Sequence, residues 1–267
     1  MIRVGVIGAA GRMGRMVCRA VAEDPDLALV AALDRSHVGE PVGVIAGLPG
    51  ADDGVRVTDD PQILLQADTE VAVDFTHPSV VMDNVRWAVE HAVHIVVGTT
   101  GIGDDDLAEI ERLLEKGGNE SNVVVAPNFA IGAVLAQRFA AEAARYFPAA
   151  EIVELHHEGK ADAPSGTALA TARRIASERA GAWRGPDAES VQGSRGGDVE
   201  GIRIHSVRLP GLVAHQEVIL GGQGQLLTIR HDSLDRSSFM PGVLLAIREV
   251  VRRPGLTVGL EPLLQGP

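Results

Sequence analysis

The chain has 267 residues, of which 45% are hydrophobic and 22% are charged, a composition that excludes a wholly disordered protein. Asp and Glu outnumber Lys and Arg by 36 to 24, and the resulting net charge of −12 argues against nucleic acid or an anionic membrane as a partner. Cys18 is the single cysteine, which excludes an intramolecular disulfide and favours a reducing compartment. The N-terminus lacks a signal-peptide pattern, and no stretch reaches the roughly 18 apolar residues of a membrane span. We therefore expect a cytoplasmic globular protein.

The first half of the chain alternates short apolar runs with segments of helical periodicity. We predict strands at 2–7, 27–33, 71–75, 94–97 and 122–126, and helices at 12–23, 80–91 and 104–116. Continuous apolar strands separated by helices are typical of an α/β fold with a doubly wound parallel sheet, because such strands are buried on both faces.

The pattern changes after the strand at 122–126. We predict helices at 131–146, 166–180 and 239–251, and a strand with alternating polar residues at 151–157. Residues 202–230 alternate like antiparallel strands, which predicts a second α+β domain with an open, mostly antiparallel sheet. Residues 181–201 are rich in glycine and charge, and we expect them to form a mobile surface loop.

A glycine-rich turn, residues 8–14 (GAAGRMG), follows the first strand and opens the first helix. This is the setting of a dinucleotide-binding turn, in which small residues let the backbone approach a pyrophosphate and the helix N-terminus favours the anion. Ala9 stands where the usual pattern has its first glycine, and Gly8 lies one residue earlier. The turn predicts a dinucleotide site, although a glycine-rich turn without a ligand has the same composition.

Asp34 ends the second strand, 20 residues after Gly14. An acid at this place binds the adenosine ribose hydroxyls in dinucleotide-binding folds. A strand-end aspartate that only caps the next turn is the alternative. The acid disfavours the 2′-phosphate of NADP, whereas the neighbouring Arg35 could attract it. The sequence therefore favours NAD and leaves NADP open as the cofactor.

Three further turns follow predicted strands and belong to the same edge of a parallel sheet. They are residues 75–77, 98–101 and 126–129. Because ligands of such sheets lie beyond the carboxyl ends of the strands, these turns are placed to contact the nicotinamide half of a cofactor. Each of them could also be an ordinary turn, and we do not expect His77 to be catalytic.

The segment with the most chemistry is residues 154–168, ELHHEGKADAPSGTA. Ser165 is a natural helix N-cap, so the amides of Gly166 and Thr167 would form an anion site at the helix start. Lys160 adds positive charge, and histidine donates or accepts a proton near neutral pH. The segment therefore predicts an anionic, carboxylate-bearing substrate that is protonated during the reaction.

Two simpler interpretations apply to the histidine pair in this segment. Adjacent residues of a strand point to opposite faces, so at most one of His156 and His157 would face a given site. A metal site formed by His156, His157 and Glu158 lacks a further ligand at a recognisable spacing, and we expect no metal.

These strings together resemble the 4-hydroxy-tetrahydrodipicolinate reductase family, also called dihydrodipicolinate reductase, of bacterial diaminopimelate and lysine synthesis. The resemblance rests on VIGAAGRMG, DFTHP, VVGTTG, APNFAIG, ELHHEGKADAPSGTA and the C-terminal end, and it extends over essentially the whole chain. The HHxxKxDAPSGTA string is long and is specific to that family.

The resemblance implies a Rossmann-type dinucleotide-binding domain at 1–128 and 238–267, and a substrate-binding and oligomerisation domain at 129–237. It also implies that 4-hydroxy-tetrahydrodipicolinate receives a hydride from NADH or NADPH, that water leaves, and that tetrahydrodipicolinate results. Members of the family are commonly homotetramers assembled through the sheet of the substrate domain.

The resemblance assigns roles to single residues. His156 matches an acid–base histidine and Lys160 a proton donor, while His157, Gly166 and Thr167 match ligands of the cyclic dicarboxylate substrate. Arg35 joins these contacts because it could attract a 2′-phosphate, and the expected cofactor contacts are Gly8, Ala9, Ala10, Gly11, Arg12, Met13, Asp34, Arg35, Gly98, Thr99, Thr100, Ala126, Pro127, Asn128 and Phe129.

The departures from the family are modest, and Glu158 and Gly159 occupy the two variable positions between the histidine pair and Lys160. Glu158 would oppose a dianionic substrate if it faced inward, so we expect it to face solvent. Asp34 stands where some members have glutamate, which leaves the use of both cofactors open.

Two other functions are compatible with residues 1–128. One is a different two-domain Rossmann dehydrogenase, for example one acting on an amino acid. The other is an NAD-binding sensor without catalysis. The segment at 156–168 argues against both, because it carries chemistry that neither requires.

Overall fold

The computed structural model describes residues 1–48, 54–118, 120–179, 181, 183, 185 and 188–265. The chain forms two compact units. One comprises Met1–Phe129 and the segment from Phe239 onward, and the other comprises Ala130–Ser238. Within the described ranges, none of the helices is both long enough and apolar enough to cross a membrane.

The first unit begins with alternating strands and helices. The strands are β1 (Ile2–Ile7), β2 (Leu27–Leu33), β3 (Val57–Thr58), β4 (Val71–Asp74), β5 (His94–Val97) and β6 (Asn122–Val125). The helices are α1 (Arg12–Glu23), α2 (Val42–Ala46), α3 (Gln62–Gln66), α4 (Val81–Glu90) and α5 (Asp104–Lys116). The five predicted strands and three predicted helices of this half are confirmed within two residues, whereas α2, β3 and α3 were not predicted because each is short.

In the described part of the second unit, two α-helices accompany five strands. The helices are α6 (Ile131–Ala144) and α7 (Gly166–Glu178). The strands are β7 (Ala149–His156), β8 (Gly197–Val199), β9 (Ile202–Arg208), β10 (Ala214–Gly222) and β11 (Gln225–Ser233), in the sheet order β11-β10-β7-β9-β8. The pairing of β7 with β9 is parallel and the other three pairings are antiparallel, which confirms the mostly antiparallel sheet.

The expected loop at 181–201 needs a correction. Residues 180, 182, 184, 186 and 187 lie outside the described residues. Gly197–Val199 forms β8, which pairs with β9 at the edge of the sheet. A three-residue edge strand that starts with glycine has no apolar run by which the sequence would reveal it, so this part of the segment is a strand and not a loop.

The chain then returns to the first unit. Helix α8 (Met240–Val250) packs against α1 and β5, and strand β12 (Gly255–Val258) pairs with β6. The seven strands form a fully parallel sheet in the order β12-β6-β5-β4-β1-β2-β3. The predicted doubly wound fold is therefore confirmed, with its reversal of strand order between β1 and β4.

Each unit has its own apolar core. In the first unit, Ile95 and Val97 of the sheet pack with Val85 of α4 and Ile110 of α5. In the second unit, Ile152, Ile204 and Leu220 pack with Ile175 of α7. Along β7 the buried residues alternate, so one face of that strand points toward the helices, and the same face carries Glu154 near its end. The core geometry therefore decides which polar side chains enter the interior.

Candidate active site

The glycine-rich turn of the first unit is held against the end of β2. The amides of Gly8 and Ala9 both donate to the Leu33 carbonyl, at 2.8 and 3.0 Å. Gly8 has a φ of 83°, in the left-handed region that favours glycine. A Cβ added to Gly14 would lie 1.9 Å from the Gly8 carbonyl oxygen, so only glycine lets α1 approach the turn this closely.

Helix α1 begins directly after this turn. Its N-cap is Gly11, which provides no side-chain cap, and Gly11 and Arg12 are exposed. The first amides of a helix have no partner within the helix and favour an anion. The turn therefore has the backbone geometry that a pyrophosphate requires, and a dinucleotide fits it.

Asp34 lies at the neighbouring strand end and is bound to the same turn. Its carboxylate accepts hydrogen bonds from the Ala10 amide at 3.0 Å and from the Ser36 amide and hydroxyl at 2.9 and 2.7 Å. Burial raises the pKa of Asp34, but the hydrogen bonds from Ser36, Ala10 and Arg35 outweigh it and hold the pKa below its ordinary value. Asp34 thus caps the next turn, as one interpretation of the sequence predicted, and its ionised oxygens retain acceptor sites for hydroxyl groups.

A buried carboxylate connects the turns that follow β4 and β5. Asp74 is fully buried and accepts hydrogen bonds from the Thr76 hydroxyl at 2.8 Å, the Thr99 hydroxyl at 2.6 Å and the Asn84 amide group at 2.6 Å. The Thr99 hydroxyl in turn accepts from the Thr76 amide at 2.8 Å. This network fixes the position of Thr99, a predicted cofactor contact.

Aromatic rings pack these two turns against the turn that follows β6. The rings of Phe75 and Phe129 lie 5.8 Å apart between their centroids. A Cβ on Gly98 would lie 2.2 Å from the Phe75 ring, so Gly98 is required for this packing. The turns after β4, β5 and β6 therefore form a continuous, tightly packed edge.

The predicted cofactor residues of the first unit all lie at the carboxyl edge of one parallel sheet. They follow β1, β2, β5 and β6, on both sides of the point between β1 and β4 where the strand order reverses. Arg35, Thr100 and Pro127 are exposed there, whereas Ala9, Ala10, Thr99, Ala126 and Phe129 are buried. Ligands of doubly wound sheets lie at this reversal point.

In the second unit, His156 is bound to a buried carboxylate. Its Nδ1 lies 2.5 Å from Oε2 of Glu154, whose side chain is fully buried. The Arg208 guanidinium donates to both Glu154 oxygens at 2.9 Å, in a bidentate pair. Burial lowers the pKa of His156, and Glu154 raises it; with the charges of Lys160 and Arg208, which also lower it, the pKa lies below its ordinary value. The imidazole is therefore neutral near neutral pH.

The start of α7 has the predicted cap. The Ser165 hydroxyl accepts a hydrogen bond from the Ala168 amide at 3.2 Å, which confirms Ser165 as the N-cap. The Ser165 amide donates to Oε1 of Glu154 at 3.2 Å. Gly166 and Thr167 lie in the first turn of the helix, where amides have no partner within the helix and can receive a carboxylate.

Lys160 lies in the loop between β7 and α7. Its ammonium donates to the Asp162 carboxylate at 2.7 Å, and its side chain is 24% exposed. His157 follows the last residue of β7 and is partly buried. Glu158 is exposed, which confirms the expectation that it faces solvent. No group of three or more His, Cys, Asp or Glu side chains within the described ranges is arranged to hold a metal ion.

Sequence reasoning gave no role to three residues of these clusters. Glu154 lies two residues before His156, so strand periodicity could have placed both on one face. Arg208 faces them only because β9 pairs in parallel with β7, in a register that sets Arg208 beside His156. Asp74 precedes a predicted turn residue and carried no local signal of its burial.

Comparisons with known proteins agree with this geometry. A family profile described as "Dihydrodipicolinate reductase, N-terminus" matches residues 2–129, and one described as "Dihydrodipicolinate reductase, C-terminus" matches residues 132–264. The chain belongs to the dihydrodipicolinate reductase family. It is therefore an oxidoreductase, and its fold is that of a dinucleotide-binding reductase.

The alignments with individual relatives extend over almost the whole length of both chains. A 4-hydroxy-tetrahydrodipicolinate reductase from Nocardia farcinica is 53% identical over 98% of each chain, and one from Mycolicibacterium vanbaalenii is 50% identical over 98% of this chain and 99% of the relative. The dipicolinate-bound dihydrodipicolinate reductase from Paenisporosarcina sp. TG-14 superposes with a TM-score of 0.86 at 42% identity, over 98% of this chain and 99% of that one. An amine dehydrogenase from Mycobacterium smegmatis, at a TM-score of 0.64, 16% identity and coverage of 95% and 93%, shares the fold alone.

Proposed function

We propose that this reductase converts 4-hydroxy-tetrahydrodipicolinate to tetrahydrodipicolinate with NADH or NADPH, in the synthesis of diaminopimelate and lysine. The observation that carries the proposal is the clustering of His156, the Lys160 loop and the Ser165-capped helix start around Glu154 and Arg208. Relatives with at least 50% identity carry the name of this reaction, and a solved relative has dipicolinate, a cyclic dicarboxylate, bound.

The reaction consumes the hydroxylated substrate, NAD(P)H and one proton, and it yields tetrahydrodipicolinate, NAD(P)⁺ and water. Lys160 supplies the proton, and His156 acts as the acid–base group beside it. The amides of Gly166 and Thr167, together with His157, hold a substrate carboxylate and so orient the ring. A nicotinamide cofactor, when bound, would supply the hydride.

We assign the cofactor to the first unit and the substrate to the second. The turn between β1 and α1 holds the pyrophosphate, through residues 8–13, and Asp34 binds the ribose hydroxyls. Residues 98–100 and 126–129 contact the nicotinamide half. Arg35 is exposed beside Asp34, so it can meet a 2′-phosphate, and we propose that both NADH and NADPH are used.

We also propose that the enzyme is a cytoplasmic homotetramer assembled through the sheet of the second unit. The residues of β11 are largely exposed within one chain, and Leu226 and Leu227 are among them. Exposed apolar residues on a sheet strand favour association with another copy. A cytoplasmic location fits an enzyme that depends on the NAD(P)H pool. Sedimentation of the purified protein would test the tetramer, and a monomer at micromolar concentration would contradict it.

The direct test is a coupled assay. The substrate is generated in the cuvette from pyruvate and aspartate semialdehyde by the preceding synthase, with NADH and NADPH in parallel reactions. Loss of nicotinamide absorbance that requires both the synthase and this protein is the expected result. Tight binding of NADH without any turnover would contradict the proposed substrate.

A further inference from the structure

The Glu154 carboxylate is surrounded by hydrogen-bond donors. Oε1 accepts from Arg208 Nη2 and the Ser165 amide, and Oε2 accepts from Arg208 Nη1 and the His156 ring. The Ser206 side chain is a further hydrogen-bond partner of Glu154. A carboxylate has about four lone-pair sites, so these donors leave none of them open. Burial raises the pKa of Glu154, but the donors, Arg208 first among them, outweigh it and hold the pKa below its ordinary value. Glu154 is thus a permanent acceptor at neutral pH.

This saturation fixes the proton on His156. A neutral imidazole has one N–H and one acceptor nitrogen. Because Nδ1 faces an ionised carboxylate that can only accept, the proton of the neutral ring is on Nδ1. The acceptor nitrogen is then Nε2, and the His156 side chain retains 14% of its exposure.

The same ion pair also holds the other two parts of the cluster. The Ser165 amide donation to Glu154 fixes the residue that caps α7, directly before Gly166 and Thr167. Arg208 Nη2 also donates to the Asp162 carbonyl at 2.6 Å, and Asp162 holds the Lys160 ammonium. The pair therefore contacts every segment to which the proposed reaction assigns a role in this unit.

We propose that Glu154 and Arg208 are positioning residues, which set the tautomer of His156 and hold the Lys160 loop and the start of α7 in one geometry. The proposal rests on the proposed function for its effect on turnover, whereas its effect on the imidazole is independent of any reaction. A carboxylate that orients a histidine is a general means of fixing its tautomer.

The first measurement is ¹⁵N NMR of the imidazoles in the unmodified protein. His156→Gln identifies the His156 signals by their disappearance. The expected result is a neutral ring protonated on Nδ1, whereas a ring protonated on Nε2 would overturn the proposal. This readout needs no substrate and no altered Glu154, so a failure of the proposed reaction leaves it intact.

The second measurement uses Glu154→Gln. In this variant an amide group replaces one carboxylate oxygen and presents N–H groups, which cannot accept a hydrogen bond. Where this amide faces His156, Nδ1 must accept a hydrogen bond, and the imidazole proton moves to Nε2. We expect kcat to fall about 10²-fold and KM to change less. A decrease of this size is at the upper end of those caused by removing a group that orients a functional histidine. An unchanged tautomer and kcat would overturn the proposal.

The pH dependence gives a third readout. The charged groups around His156 are Glu154 on β7, Arg208 on β9, and Lys160 with Asp162 in the loop, whereas β10 sets the apolar Ala214 opposite His156. Glu154 raises the pKa of His156, so its removal moves the His156 titration to lower pH. A titration that stays in place would count against the proposed contact.

Glu151→Gln is the matched control. Glu151 lies on the same strand and is also paired, with Arg195 at 2.5 Å and His205 at 2.8 Å, but it points to the opposite face. We expect it to leave the His156 tautomer and titration unchanged. If Glu154→Gln fails to fold, the measurement on the unmodified protein still decides the proposal.

Discussion

The carboxyl edge of the first unit and the cluster of the second unit are constructed in different ways. The first depends on the backbone, because Gly8, Gly14 and Gly98 have no room for a Cβ. The second depends on charged side chains, with the buried Glu154 holding His156 and Arg208. Substitutions should therefore act through steric exclusion in the first unit and through charge and proton position in the second.

The largest effect is expected at Lys160. Lys160→Ala removes the proposed proton donor and should lower kcat about 10²–10⁴-fold, the usual contribution of a general acid. The measurement is the coupled assay at saturating cofactor. Lys116→Ala, at the exposed end of α5, removes the chain's other lysine and should have no effect. A near-normal kcat for Lys160→Ala would exclude Lys160 as the proton donor.

Gly14→Ala tests the steric half of the comparison. The added Cβ would meet the Gly8 carbonyl oxygen at 1.9 Å, so the turn must open. We expect the free energy of unfolding to fall by about 1–3 kcal/mol, the usual cost of overpacking. Affinity for NADH should fall by about 10-fold or more, since each 1.4 kcal/mol lost in the bound geometry is tenfold.

The control for this steric test is Gly197→Ala in β8. A Cβ there meets nothing within 4 Å, and the residue lies outside the left-handed region. Denaturant unfolding and fluorescence titration with NADH measure both variants. Equal behaviour of the two alanines would show that close approach of α1 to the turn does not matter.

Asp74→Asn is expected to have an intermediate effect. The amide retains one acceptor for Thr76 and Thr99 but presents N–H groups to the Asn84 amide. We expect kcat/KM to fall about tenfold, because an unsatisfied buried donor costs about 1–3 kcal/mol. Asn84→Asp in the same chain restores a complementary pair, and recovery in the double variant would show that the hydrogen bonds matter. A double variant no better than Asp74→Asn would contradict this explanation.

The smallest effect is expected at Asp34. Asp34→Ser removes the ionised oxygens proposed to bind the ribose hydroxyls. We expect KM for NADH to rise several-fold, because the loss of hydrogen bonds to an exposed ligand group costs about 1 kcal/mol or less of binding free energy. KM for NADPH should change less, since the 2′-phosphate is no longer opposed by the carboxylate. Parallel assays with both cofactors measure the ratio, with Asp26→Ser as the exposed control. An unchanged ratio would remove Asp34 from cofactor selection.

The local pattern of the sequence determined most of the elements. Strand β1, helix α1 and helix α5 have the predicted bounds because apolar periodicity and glycine turns are local signals. The Ser165 cap was likewise readable, since a hydroxyl before a helical segment satisfies a nearby amide wherever the helix lies. Strands β3 and β8 were not readable, because two or three residues carry too little periodicity. Strand β12 has four residues, but Gly255 and Thr257 interrupt its apolar run.

Which side chains meet was decided by the tertiary structure. Arg208 reaches Glu154 only because β9 returns parallel to β7 in one register, and a shift by one residue would turn it to the other face. Asp74 reaches Thr99 because β4 and β5 are neighbours in the parallel sheet. The sequence by itself predicted the residues to which we assign the chemistry, whereas strand register decided which partners contact them, because contacts between distant segments have no local pattern.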